Sequence, residues 1–395
     1  MAAPNDDVAY NFYISTNPVF GDADLKWMGG TNVSVPLAVG DSAVVVLPPA
    51  GRNALAVPTV VPGWYYIFVN IQHAAPTKWL DPNLANNFVS RNGGTIQIGA
   101  SQPTELLLVN DYNGDGYTDL AMYQESTGTW QGWFFGPQWV LTQGFTMAGY
   151  GGAGFKAVPS DYDGDGKTDL AVYQEATGTW KVWVSASDYV VAQADGCGGP
   201  GFEPVPSDYD GDGLADPAVY QESTGTWRVW LSVNGYSMAS AQDLGGTGWR
   251  PVAGDYDGDG KADPAIYQEQ GGTWRVWQSS RNYAPVTAGG MGGPGYRPVT
   301  ADYDLDGIMD PAVFQASTGS WKVWLSASGY AEANAQGLGN TGTVAVPGDY
   351  DGDGLADPAV YWDSFGMWRL WLSSSGYRQT ELLAWPGEGF RPIWP

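Results

Sequence analysis

The chain has 395 residues, only 15% of them charged, with 42 acids against 17 bases and a net charge of −25. That balance argues against nucleic acid as a partner, because binding it needs a basic stripe that displaces counterions. One cysteine, Cys197, and one histidine, His73, exclude a disulfide framework and a His/Cys metal site, and no apolar run reaches the roughly 18 residues of a membrane helix.

Met1-Ala2-Ala3 opens without the charged and apolar pattern of a secretory signal, so any such signal is expected outside this chain. Residues 1–100 carry apolar and β-branched runs at Tyr10–Ile14, Val33–Leu37, Ala43–Leu47 and Trp64–Ile71, separated by Gly, Pro and Asn. This pattern predicts an antiparallel β-domain. Phe12-Tyr13-Ile14-Ser15, Asp24-Leu25, Tyr65-Tyr66-Ile67-Phe68-Val69 and Asp81-Pro82-Asn83-Leu84-Ala85-Asn86-Asn87 together resemble the bacterial adhesion-related CARDB domain. The resemblance implies a small immunoglobulin-like sandwich. Such domains begin with two further strands, so this one is expected to be a fragment or an incomplete sandwich. An incomplete sandwich leaves a sheet edge open, and open edges recruit strands, including those of a second copy.

From residue 101 to 395 one unit is written six times. Its acidic loop begins at Asp111, Asp161, Asp208, Asp255, Asp302 and Asp349, at intervals of 50, 47, 47, 47 and 47 residues. A fixed period of this size means a solenoid, an array or a propeller. The unit from Trp249 shows four short strands. One precedes the loop, one follows it, one runs through Thr-Trp-Arg-Val-Trp and one lies around Tyr283. No segment has a helical period. Four strands in about 47 residues, repeated radially, predict an all-β propeller of six or seven four-stranded blades. Trp180, Trp183, Trp227 and Trp230 are expected to fill the blade interfaces. The final Gly389-Phe390-Arg391-Pro392-Ile393 repeats the opening of a unit, as a clasp strand pairing the last blade with the first would.

Strands two and three meet at a Ser-Thr-Gly-Thr turn. With Thr224-Gly225 at its tip, Glu222 is expected opposite Trp227. An acid before this turn (Glu125, Glu175, Glu222, Glu269, Asp363) and a base after the tryptophan (Lys181, Arg228, Arg275, Lys322, Arg369) then read as rim ion pairs, each worth about 0–1 kcal/mol.

The loops hold 23 of the 42 acids. Three carboxylates alternating through Asp-x-Asp-x-Asp-Gly can wrap one calcium ion, with the glycine permitting the sharp turn. In the third loop Asp208, Asp210 and Asp212 are the first ligands, the carbonyl of Leu214 the next, and Asp216 closes the sphere. The same roles fall to Asp161, Asp163, Asp165, Lys167 and Asp169, and to Asp255, Asp257, Asp259, Lys261 and Asp263. They fall also to Asp302, Asp304, Asp306, Ile308 and Asp310, and to Asp349, Asp351, Asp353, Leu355 and Asp357. The first loop offers Asp111, Asn113, Asp115, Tyr117 and Asp119; losing one charge at Asn113, it should bind more weakly than the second, third, fourth and sixth. Leu305 replaces the glycine at position four of the fifth loop, where its side chain is expected to point outward. An EF-hand needs a glutamate at position twelve, but Met122, Val172, Val219, Ile266, Val313 and Val360 stand there. A nine-residue loop closed by its own aspartate resembles instead the calcium loops of FG-GAP and VCBS repeats, the blades of the integrin α-subunit propeller. That resemblance covers residues 101–395. It implies about six structural calcium ions, which would roughly halve the net charge.

No Ser-His-Asp set can be drawn with His73 alone, and the carboxylates are committed to metal, so no catalytic residue is expected. The expected role is a non-catalytic, secreted or cell-surface adhesion module that recognises a protein or glycan ligand. A carbohydrate-binding lectin is the first alternative, since 20 tryptophans offer rings that stack on sugars. Self-assembly through the N-terminal domain and polysaccharide lyase activity are the others.

Overall fold

The computed structural model describes residues 7–15, 26–34, 63–73, 88–98, 110–136, 141–383 and 389–393. The chain divides into two compact units, Met1–Gln102 and Pro103–Pro395.

In the first unit β1 (Asp7–Ser15), β2 (Lys26–Ser34), β3 (Gly63–His73) and β4 (Phe88–Ile98) form one antiparallel sheet in the order β2-β1-β3-β4. Sequence periodicity places β1 and β3 but not β4. The reason is Arg91-Asn92-Gly93-Gly94, which reads as a turn. The β3–β4 ladder steps from Tyr66↔Thr95 to Phe68↔Ser90 and so bulges these four residues out. Likewise Gly29-Gly30 lies inside β2, beside a shift in its pairing with Phe12 and Tyr13. The expected strand Ala43–Leu47 and the segments Asp24-Leu25 and Asp81–Asn87 lie outside the described residues.

The second unit is a six-bladed propeller of antiparallel four-stranded sheets. Within each of the second to sixth blades the strands follow chain order; the third blade runs Glu203–Pro204, Ala218–Gln221, Thr226–Leu231, Ser237–Ala241. First strands line a central cavity of about 480 Å³, walled by residues such as Pro159, Pro206, Val252 and Ala301. Fourth strands are the exposed outer edge. The first blade lacks an inner strand of its own and takes Arg391–Pro392, which pairs with Tyr123 and Met122. Ile393 N–H donates to the Ala121 carbonyl, and the buried Asn110 amide donates to the Ile393 carbonyl.

Both faces of every second strand are buried, as in Ala218-Val219-Tyr220, because each blade is sandwiched between two others. The first tryptophan of each third strand (Trp130, Trp180, Trp227, Trp274, Trp321, Trp368) is at most 2% exposed. It sits 4.9–5.2 Å from the aromatic ring opposite it on strand two. In one such cluster Tyr220, Trp227 and Val229 of the third blade pack on Ile266 and Trp277 of the fourth. Trp227→Ala should therefore cost about 3–5 kcal/mol, read from the midpoint of urea unfolding.

The hairpin register differs from the sequence expectation by two residues. Gln221 faces Thr226 and Tyr220 faces Trp227, so the turn is four residues, Glu222–Gly225. Gly225 takes φ 62, and Thr224 closes the loop through its hydroxyl on the Gln221 amide oxygen and on Thr226. The rim ion pairs are also rearranged. Glu125, Glu175, Glu222 and Glu269 accept the N–H of Gly154, Gly201, Gly248 and Gly295 in the following blade's approach. The bases instead stack on rings at the start of first strands or just before them, Lys181 on Phe155, Arg228 on Phe202 and Arg275 on Trp249. Lys322 and Arg369 pair with Glu332 and Glu381 of the fourth strand. The hairpin acids Glu175, Glu269 and Asp363 pair instead with Lys156, Arg297 and Arg391 of neighbouring first strands.

Candidate metal centre

Each acidic loop joins strands one and two on one rim, and its carboxylates do distinct work. In the third loop Asp208 accepts the N–H groups of Gly211 (2.6 Å) and Gly213 (2.9 Å), folding the loop back on its first residue. Asp216 accepts from Tyr209 N–H (3.0 Å) with one oxygen and from Ser232 N–H (2.7 Å) with the other. These two hydrogen bonds pin the loop to the end of strand three. Asp212 accepts from Leu214 N–H and the Ser232 hydroxyl. Asp210 accepts one bond, from Val233 N–H (3.1 Å), while its second oxygen is buried with no partner.

The pattern recurs around the ring. Position-nine carboxylates Asp119, Asp169, Asp263, Asp310 and Asp357 make the same two backbone contacts. Buried oxygens without a partner recur on Asp257, Asp304 and Asp351. A serine stands sixteen residues beyond the closing aspartate in five blades (Ser185, Ser232, Ser279, Ser326, Ser373), and its hydroxyl reaches position five each time. Sequence reasoning missed these serines. Their only signal is the constant offset, because a serine opening a turn is otherwise ordinary. Ser232→Ala should lower stability by about 1 kcal/mol, measured by chemical denaturation.

The loops bring together oxygen sets that could hold a metal ion. Carboxylate oxygens of Asp161, Asp163 and Asp169, and of Asp208, Asp210 and Asp216, lie within 4.8 Å of one another. So do those of Asp255, Asp257 and Asp259, of Asp302, Asp304 and Asp306, and of Asp349, Asp351 and Asp353. The first loop forms no such set among the described residues. There the Asn113 carbonyl oxygen already accepts Asp115 N–H (2.8 Å), and its amide donates to the Asp115 carboxylate (3.1 Å). Phe135 stands where the other blades have the serine.

Burial pushes the closing carboxyls upward, against the backbone bonds that lower them: Asp169 and Asp216 to about 6, Asp263 and Asp310 to about 7, Asp119 and Asp357 to about 8. Neighbouring loop carboxylates add to the rise. Hard oxygen donors, crowded, half-buried and in four loops short of a partner, fit a divalent cation that prefers oxygen ligands.

The loops are also tied to one another. The N–H at position eight of each loop donates to the carbonyl at position one of the preceding loop, at 2.6–2.8 Å. The six links are Thr118 to Asp349, Thr168 to Asp111, Ala215 to Asp161, Ala262 to Asp208, Met309 to Asp255 and Ala356 to Asp302. They form a closed ring. Leu305, at φ 66, extends over the next loop, where a Cβ on Gly354 would meet its Cδ1 at 2.6 Å.

No protein-family model and no curated protein sequence matches the chain. Among solved structures it is similar to a chain of the Photorhabdus luminescens Tc holotoxin pore, with a TM-score of 0.43 and 13% identity over 78% of this chain. The match spans 19% of that toxin chain. It is also similar to a protein from Lactobacillus plantarum, with a TM-score of 0.41 and 12% identity, covering 98% of this chain and 99% of that one.

Proposed function

We propose that the propeller is a calcium-stabilised, non-catalytic binding module that works outside the cell, in the manner of the FG-GAP and VCBS repeats its loops resemble. The observation that carries this reading is the buried, partnerless oxygen repeated on Asp210, Asp257, Asp304 and Asp351. Leaving such an oxygen unsatisfied costs about 1–3 kcal/mol or more for a charged group, and a bound cation removes that cost. Extracellular modules hold calcium at about 10⁻⁴–10⁻³ M, which suits exposed loops of this kind. Calcium calorimetry on the purified chain tests the ion. Binding assays against immobilised extracellular proteins and glycans, with calcium and with chelator, test the role. Binding to neither in calcium would end the adhesion reading.

A lectin is the second reading, and one observation favours it. The tryptophans of the blade interfaces are buried or half-buried, but Tyr236, Tyr283, Tyr330 and Tyr377 are each about half exposed on the acidic-loop rim. All four lie at positive φ, directly after a left-handed residue. Non-glycine residues held there are strained and favour a functional explanation. A glycan array is expected to show binding that Tyr236→Ala and Tyr283→Ala reduce. Signals indifferent to both substitutions would remove the tyrosines from the account.

A further inference from the structure

The first, second, third, fourth and sixth acidic loops are each roofed by the blade that follows. The side chain at loop position seven projects onto position four of the preceding loop. A Cβ on Gly211 would lie 3.1 Å from Cγ and 3.3 Å from Cε of Lys261, so the lysine stem crosses the residue between Asp210 and Asp212. Gly114 meets Lys167 at the same two distances. Elsewhere the roof carries no charge: Leu214 lies over Gly164, Ile308 over Gly258 and Tyr117 over Gly352.

We propose that the position-seven residue of the following blade sets the cation affinity of each loop, and that Lys261 and Lys167 make the third and first loops the weak members of the ring. The inference rests on the calcium reading above. The third loop is the clean case. Its four carboxylates are complete, and the Asp210 oxygen stays buried and partnerless, so the ammonium does not substitute for the ion. The first loop is weakened twice, by Lys167 and by the self-satisfied Asn113. A unit positive charge within about 8 Å of a divalent ion, in a medium between protein and water, weakens binding by about tenfold. Where Leu214 or Ile308 forms the roof, that repulsion is absent.

The test is calcium calorimetry on the full chain and two variants. Wild type is expected to show four tight sites and two weaker ones. Lys261→Met should raise the third loop by about tenfold and give five tight sites. Leu214→Lys, which places an ammonium over Gly164, should remove one and leave three. Six equal sites in wild type would overturn the proposal, as would a Leu214→Lys isotherm like that of wild type. Either result leaves calcium binding itself standing. No calcium binding at all would overturn both readings, and a melting curve in chelator shows separately that each variant is folded.

Discussion

Stripping divalent ions from the purified protein should lower its melting temperature by about 10 °C or more. An ion at a hundred times its dissociation constant stabilises the native state by about 2.7 kcal/mol per site, and a domain of this size loses about 2 °C or more per kcal/mol. Calcium should restore the original melt, and an unchanged transition in chelator would remove the ions from the account. The pH dependence gives the same result a sign. Burial lifts Asp216, Asp263 and Asp357 to about 6, 7 and 8, above the usual carboxylate value near 3.9. Between pH 4 and pH 8, as bounded by those values, the ion-free native state then binds more protons than the unfolded chain. Its stability must fall as pH rises through that window. With saturating calcium the slope should reverse, because protons compete with the ion and lose as pH rises. Thermal melts at several pH values, with and without chelator, should therefore give curves of opposite slope.

Removing residues 389–395 should be as damaging. The deletion strips the first blade of its inner strand, exposing the edge at Tyr123 and Met122. It unburies Phe390 and Ile393 and leaves the Asn110 amide without its acceptor. Two buried apolar side chains account for about 3–6 kcal/mol, against a total stability of about 5–15 kcal/mol for a typical domain. The truncated chain is expected to lose its cooperative unfolding transition or to associate through the open edge. Circular dichroism melts and light scattering measure both, and a truncated monomer that melts like wild type would show that Arg391–Pro392 does not hold the ring.

Much of the propeller was legible in the sequence because the repeat exposes what packing demands. Asp208, Asp210, Asp212 and Asp216 declare the loop by spacing alone, and Trp227 with Trp230 marks the third strand. Gly389–Ile393 shows its kinship to Gly248–Val252. Contacts between blades were not legible. Lys261 meets Gly211 fifty residues away, and nothing local to either residue announces the meeting. Glu222 and Arg228 looked like partners because a hairpin sets them close, yet backbone and ring faces bind each of them instead. In the first unit, glycine pairs inside β2 and β4 read as turns, since the bulges that absorb them are set by the partner strand. Among the loop residues, the first loop's missing carboxylate was legible at Asn113. The two hydrogen bonds that make Asn113 self-sufficient were not.

The links between acidic loops all run in one direction, each loop donating backward and accepting from ahead. Head-to-tail contacts of this kind have only two fates, to close on themselves or to continue without end. Here the sixth donates to the fifth and the first donates to the sixth, so no loop is terminal. A repeat gained or lost by duplication would have to break a link and remake it at a new angle. The ring therefore counts its own members, and a damaged loop has two neighbours through which to be felt.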